Sequence, residues 1–175
     1  MKIVTVSTIR NEADIIESFV RYHIQFVDRM IITNHRGADA SGKILQALRD
    51  EGLPLDLWEE NRLELQQGQI LTRSMKFAAA EHGADWIVPL DADEFLTPAA
   101  GGDVRAIFSG LQQDQIVKVA WRTHVPLPSD DPKEPNILRR TKHYKRVETN
   151  GFRKIIIPRH VAQKPRGLIA PGSHG

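Results

Sequence analysis

Short runs of β-branched and apolar residues alternate with amphipathic segments of helical period over the first 122 residues, and this alternation restricts the chain to a mostly parallel sheet covered by helices. Residues 2–8, from Lys2 to Thr8, form a buried strand that ends near Arg10. From Asn11 or Glu12, the positions Ile15, Ile16, Phe19, Val20, His23, Ile24 and Val27 recur at helical spacing, with Glu12 and Asp14 in the first turn where the helix dipole favours acids. A strand over 29–33, a polar loop over 34–41 and a helix over 42–51 stopped by Gly52 follow. Next come a strand over 55–58, a helix over 66–82 closed by Gly83, a strand over 86–90, a loop over 91–102 and a helix presenting Val104, Ile107, Phe108 and Leu111. A strand over 116–122, a proline- and aspartate-rich loop over 126–135 and a strand over 152–157 complete the pattern, and residues 163–175 show no period. Pro89 conflicts with its own strand because proline donates no ladder hydrogen bond, so either the strand ends there or that position faces away from its neighbour.

At 175 residues, with 41% hydrophobic and 26% charged residues, the chain has the size and composition of a single globular domain. That domain is expected over 1–175. Gly175 falls immediately after a candidate ligand, which leaves room for an acceptor-binding part outside the chain. With no cysteine, a metal has to rest on carboxylates, imidazoles or carbonyls, and a reducing compartment is accommodated. The N-terminal apolar run is shorter than a signal-peptide core or a membrane span, so the expected location is cytoplasmic.

Charge is uneven. Residues 1–138 carry 14 Lys+Arg against 21 Asp+Glu, and residues 139–175 carry 10 against 1. A basic end of this kind, with Arg139, Arg140, Lys142, Lys145 and Arg146, is either a surface for phosphates or an acidic membrane face, reached by peripheral contact, or a solvated edge. It lacks the interleaved aromatics of a single-strand platform, so no nucleic-acid partner is expected.

The chemistry concentrates in Trp86-Ile87-Val88-Pro89-Leu90-Asp91-Ala92-Asp93-Glu94-Phe95-Leu96, where three carboxylates follow a hydrophobic strand at the end where open parallel sheets place ligands. Carboxylates this close raise one another's pKa unless a cation neutralises them. Mg2+ or Mn2+ meets the need, taking one or two carboxylates and completing its shell with water and diphosphate oxygens. The plainer alternative is a solvated turn with a helix cap.

Thr8-Ile9-Arg10-Asn11-Glu12-Ala13, the loop after the second strand, and Leu90-Asp91-Ala92-Asp93-Glu94-Phe95-Leu96 together resemble the family-two-type glycosyltransferases of GT-A fold, especially the bacterial branch with R-N-E near the start and D-x-D-E-F in mid-chain. The resemblance covers about the first hundred residues; D-x-D-E-F is fairly specific and R-N-E weak. It implies a GT-A-type, Rossmann-like α/β fold, a UDP- or GDP-linked sugar donor, a Mn2+ or Mg2+ ion, and transfer to a saccharide or other hydroxyl acceptor. By the same resemblance Asp91, with Ala92 beside it, contacts the nucleotide sugar, Asp93 ligates the metal, and Thr8, Arg10 and Glu12 lie beside the nucleoside. Glu12 is equally a helix N-terminal carboxylate without a ligand. The loop 33–41 departs from the family's acidic position, offering Asn34 first and Asp39 only later; alternatively its Ser41 simply caps the next helix.

The resemblance also implies a basic residue near the donor, for which Arg73, close to Gln66 and Gln69, has the fixed charge and rigid fork that suit a diphosphate; the alternative is an exposed arginine. His174, in a glycine-rich stretch, resembles a distal metal ligand. His23 is expected to pack at the edge of the core. For a general base, Asp130, Asp131, Glu134 and Glu94 are candidates. Two other functions compete: an Asp-dependent phosphotransferase or phosphatase, and a non-catalytic nucleotide-sugar-binding module.

Overall fold

The computed structural model describes residues 1–64, 66–98, 101–148, 151 and 153–164. Its elements run β1 (Ile3–Ile9), α1 (Ile16–His23), β2 (Arg29–His35), α2 (Ser41–Asp50), β3 (Leu55–Glu60), α3 (Gln67–Ala80), β4 (Trp86–Pro89), α4 (Val104–Gly110), β5 (Val117–Ala120), α5 (Ile137–Arg140), β6 (Arg153–Pro158) and α6 (Arg159–Ala162). The sheet order is β3-β2-β1-β4-β6-β5; the first four strands are parallel, and β6 and β5 join antiparallel.

Alternation along the strands splits the core in two. Ile3 and Ile9 of β1, Met30 and Ile32 of β2, and Trp86 and Val88 of β4 pack with Phe19, Val20, Leu45, Leu48 and Phe108 from α1, α2 and α4. Val4, Val6, Ile31, Ile87, Ile155 and Ile157 pack on the other face with Leu71, Met75, Ala78 and Val161 from α3 and α6. Among the described residues no helix is long and apolar enough to cross a membrane.

The chain winds outward from β1 to β2 and β3, then returns to lay β4 on the opposite side of β1. The gap between the carboxyl ends of β1 and β4 is therefore the topological switch point, where open α/β sheets bind ligands.

Several boundaries differ from the sequence expectation. The first helix begins at Ile16 because Asn11 takes a left-handed φ of 58° and the carbonyl of Glu12 first closes a turn onto the N–H groups of Ile15 and Ile16. Asn34 and His35 extend β2, paired with Glu59 and Glu60 of β3, where a loop was expected. The short helices α5 and α6 carry no readable period.

Pro89 is accommodated by register. Trp86 and Leu90 donate their N–H groups toward β1, to Lys2 and Val6, so alternation turns the Pro89 nitrogen toward β6. The β4–β6 pairing covers only Trp86 and Ile87, and no ladder bond is lost at residue 89.

Candidate active site

Register assembles the site. The parallel pairing that sets Val6 beside Pro89 and Thr8 beside Thr33 carries Thr8 to the level of Asp91. The antiparallel pairing of Trp86 with Pro158 and Ile87 with Ile157 carries Lys154 to the level of Leu90. Side chains 63 residues apart in sequence thus meet where β4 ends.

There Lys154 Nζ lies 3.0 Å from Asp91 Oδ2 and 2.7 Å from Glu94 Oε2. The same Glu94 oxygen accepts the Asp91 N–H at 2.9 Å, and the Glu94 N–H donates to the Asp91 carbonyl at 3.1 Å, closing a tight turn. Gln67, at the start of α3, donates to Asp91 Oδ1 at 3.3 Å. Glu94 and Lys154 are almost withdrawn from solvent, with side-chain exposures of 10% and 7%. Burial pushes the Glu94 carboxyl up to about 7, against the opposing pull of Lys154, and its Oε1 is buried without a described partner.

Ala92 is buried beneath the turn and Asp93 is exposed on it, with no hydrogen bond or ion pair among the described residues. Across the switch point Glu12 is raised above the ordinary carboxylate range, chiefly by burial and then by Asp93, Asp14, Asp39 and Asp91. The two loops therefore share one negative field.

The far side of the turn is clamped by α1. Leu96 donates its N–H to His23 Nε2 at 3.3 Å, and its carbonyl accepts the Tyr22 hydroxyl at 2.8 Å. The Phe95 ring stacks on His23 with centroids 5.6 Å apart and meets Tyr22 edge-on at 5.5 Å. His23 lies fully inside the core, not at its edge as expected.

The other expected site residues fall as follows. Thr8 stands at the end of β1 with a buried hydroxyl that has no described partner, and Arg10 is exposed just beyond it. Asn34 is tied locally, its Oδ1 accepting the Gly37 N–H at 3.2 Å and its Nδ2 reaching Glu59 at 3.3 Å. Asp39 accepts the Ser41 N–H at 2.9 Å and hydroxyl at 2.6 Å and the Ala13 N–H at 2.9 Å, which holds its carboxyl below the usual range. Ser41 does not cap α2; it is that helix's first residue, and its hydroxyl accepts the Glu12 N–H at 2.8 Å. Ser41 and Asp39 thus bind the β1–α1 and β2–α2 loops together.

Arg73 is exposed and sits over the Trp58 ring at 5.0 Å; hydrogen bonds from Arg62 chiefly hold the Glu60 carboxyl low, and the Arg73 charge adds a smaller pull, so its described contacts lie at β3 and not at the Asp91 turn. Asp131 is exposed and accepts the Lys133 N–H at 2.9 Å, in a loop whose Pro135 carbonyl accepts from Ser18 of α1 at 3.2 Å. Asp130 accepts the Leu127 N–H at 2.8 Å, and Glu134 accepts the Asn136 N–H at 2.9 Å. His174 lies outside the described residues.

Sequence reasoning missed Lys154, Gln67 and the Tyr22–His23 clamp. Lys154 carried a signal: a lysine next to Ile155-Ile156-Ile157 in a strand is a charge inside an apolar run, and buried lysines need partners.

Among the described residues no three His, Asp or Glu side chains converge to enclose a metal ion. What the turn offers is one exposed carboxylate, Asp93, beside an Asp91 already paired with Lys154, and the negative charge of both adds to the burial that raises Glu12. That donor set suits Mg2+ or Mn2+ held mainly by phosphate and water, and does not suit a cage-bound structural ion.

No protein-family model matches the chain, and no curated protein matches it. Solved structures do. The mannosyltransferase PcManGT from Pyrobaculum calidifontis, in complex with GDP-Man and Mn2+, superposes over 68% of this chain and 35% of its own, with a TM-score of 0.50 and 18% identity. The fold is GT-A. Glucosyl-3-phosphoglycerate synthase from Mycobacterium tuberculosis, with Mn2+, UDP and phosphoglyceric acid, matches over 53% of this chain and 33% of its own, at a TM-score of 0.41 and 22% identity. S. aureus TarS matches over 54% and 28%, at a TM-score of 0.43 and 14% identity. The chain spans roughly a third of the length of these structures. In GT-A terms, the Asp91–Glu94 turn lies at the carboxyl end of β4, beside the switch point.

Proposed function

We propose that this chain carries the donor-binding part of a metal-dependent glycosyltransferase that uses a UDP- or GDP-linked sugar. The observation that carries the proposal is the braced Asp91–Glu94 turn at the switch point of a GT-A sheet, presenting Asp93 outward. The similarity to structures solved with GDP-Man or UDP and Mn2+ agrees with it.

Asp93 would hold Mn2+ or Mg2+, with Asp91 beside it facing the nucleotide sugar and Ala92 packing beneath. Such an ion, when bound, supplies Lewis-acid stabilisation of the charge that collects on a departing diphosphate. Thr8, Arg10 and Glu12 at the end of β1, with Asn34 at the end of β2, form the nucleoside side. Asp39 acts there indirectly, by fixing the two loops.

Of the four carboxylates considered for proton transfer, Glu94 and Asp131 take different roles. Glu94 is committed to the Asp91 N–H and to Lys154, so it holds the turn. Asp131, exposed in the 126–135 loop, is the base proposed for the acceptor hydroxyl. The acceptor is a saccharide or other hydroxyl compound, and the location proposed is the cytoplasm. Arg73 and His174 remain proposed as a donor contact and a distal ligand respectively.

The test is a screen of UDP- and GDP-sugars in Mn2+, following both thermal stabilisation and release of nucleotide. Stabilisation with slow nucleotide release supports the enzyme. Stabilisation with no release under any donor supports the non-catalytic module, and no stabilisation by any nucleotide contradicts both.

A further inference from the structure

Among the described residues Lys154 is the one buried lysine or arginine, and nothing in the proposed donor chemistry calls for it. Burying an ammonium is costly unless opposite charges lie against it. Here two do, Asp91 at 3.0 Å and Glu94 at 2.7 Å, both from the turn after β4. The antiparallel register of β6 on β4 fixes the lysine at the height where that turn begins.

Three carboxylates within four residues form a strong cation site if all are available. Two of the three are committed to Lys154, and Asp93 alone is exposed without a described partner. We infer that Lys154 is a positioning residue: a built-in cation that fixes Asp91 and Glu94 and withholds them from a divalent ion, so that the protein alone holds such an ion poorly and a nucleotide diphosphate must complete its shell. The inference deepens the donor-binding reading and rests on it for the identity of the second partner. The charge relationship is tested without any nucleotide.

The probe is Mn2+ alone, its free concentration read by electron paramagnetic resonance during titration of wild type and Lys154→Met, with folding checked by circular dichroism and thermal melts. Removing a unit positive charge a few ångströms from the turn and releasing two carboxylates is expected to tighten nucleotide-free Mn2+ binding by about tenfold or more. Lys154→Arg keeps the charge and is expected to bind Mn2+ as wild type does. Equal or weaker Mn2+ affinity in a folded Lys154→Met protein overturns the inference, as does a tightening of the same size in Lys154→Arg.

If Lys154→Met does not fold, the double variant Lys154→Met, Glu94→Gln removes one buried charge of each sign while still releasing Asp91. A gain of about threefold is then expected, and no gain overturns the inference. A separate titration of wild type with UDP and GDP in Mn2+ distinguishes the two failures. Absence of nucleotide binding there contradicts the glycosyltransferase proposal and leaves the Mn2+ comparison intact.

Discussion

His23 Nε2 accepts the backbone N–H of Leu96 at 3.3 Å, while its Nδ1–H donates to the Phe19 carbonyl at 2.8 Å. Both ring nitrogens are thus used in the neutral tautomer, and burial pushes the imidazole down to about 4. One helix side chain thereby ties the acidic turn to α1 at a residue three positions beyond Asp93.

Neutral burial of His23 makes the protein acid-sensitive. Its folded-state pKa lies below the ordinary value, so the unfolded chain takes up a proton first, and stability falls as pH drops from about 6.5 to about 4. Glu94 acts oppositely: with its folded pKa raised to about 7, the stability it contributes is present at low pH and lost as pH rises through that value. A comparison at each pH separates them. Against His23→Gln, wild type is expected to lose on the order of 3 kcal/mol more across the His23 window, measured by urea unfolding from pH 7 to pH 4. Parallel curves for the two proteins contradict the assignment.

Asp39 gives a second test because its contacts are structural. Asp39→Ala removes the acceptor for Ser41 and for the Ala13 N–H, so the melting temperature is expected to fall by about 2–4 °C. The fall should be similar with and without nucleotide. A change confined to nucleotide affinity would assign Asp39 to the ligand instead.

Sequence was most informative where burial is local and periodic. The central strands β1, β2 and β4 were visible as short apolar, β-branched runs buried on both faces, the helices by the amphipathic segments between them, and the Asp91–Glu94 turn because three acids adjoin an apolar strand. Lys154 was not identified, since its partners lie 60 or more residues earlier and only the antiparallel return of β6 brings them together. The start of α1 was misplaced because Asn11 adopts a positive φ that no periodicity reports. Arg73 was set near the donor by the family resemblance, with an exposed arginine as the alternative; it is exposed, and its guanidinium lies over Trp58, a cross-element contact without local signature.

Arg73→Ala separates those two placements. If stacking on Trp58 is its role, the variant loses about 0.5–1 kcal/mol of stability and keeps nucleotide affinity within about twofold. A tenfold weaker affinity, read by calorimetry, would support the proposed contact of Arg73 with the donor.

Gly37 tests the loop at the end of β2. A Cβ there would stand 2.5 Å from Asn34 Oδ1, and the buried Asn34 also holds Glu59. Gly37→Ala is expected to cost about 1–3 kcal/mol by overpacking and to weaken nucleotide binding by displacing Asn34. Unchanged unfolding and unchanged affinity would show that the loop yields freely.

The most direct test is calorimetric titration of UDP and GDP into wild type and Asp93→Ala, each with Mn2+ and with a chelator. Mn2+ is expected to tighten binding of one of these nucleotides to wild type by at least about tenfold, and Asp93→Ala to abolish this gain while its melting curve stays that of a folded protein. Equal metal-dependent affinity in both proteins, or no metal effect in wild type, would contradict metal binding at Asp93.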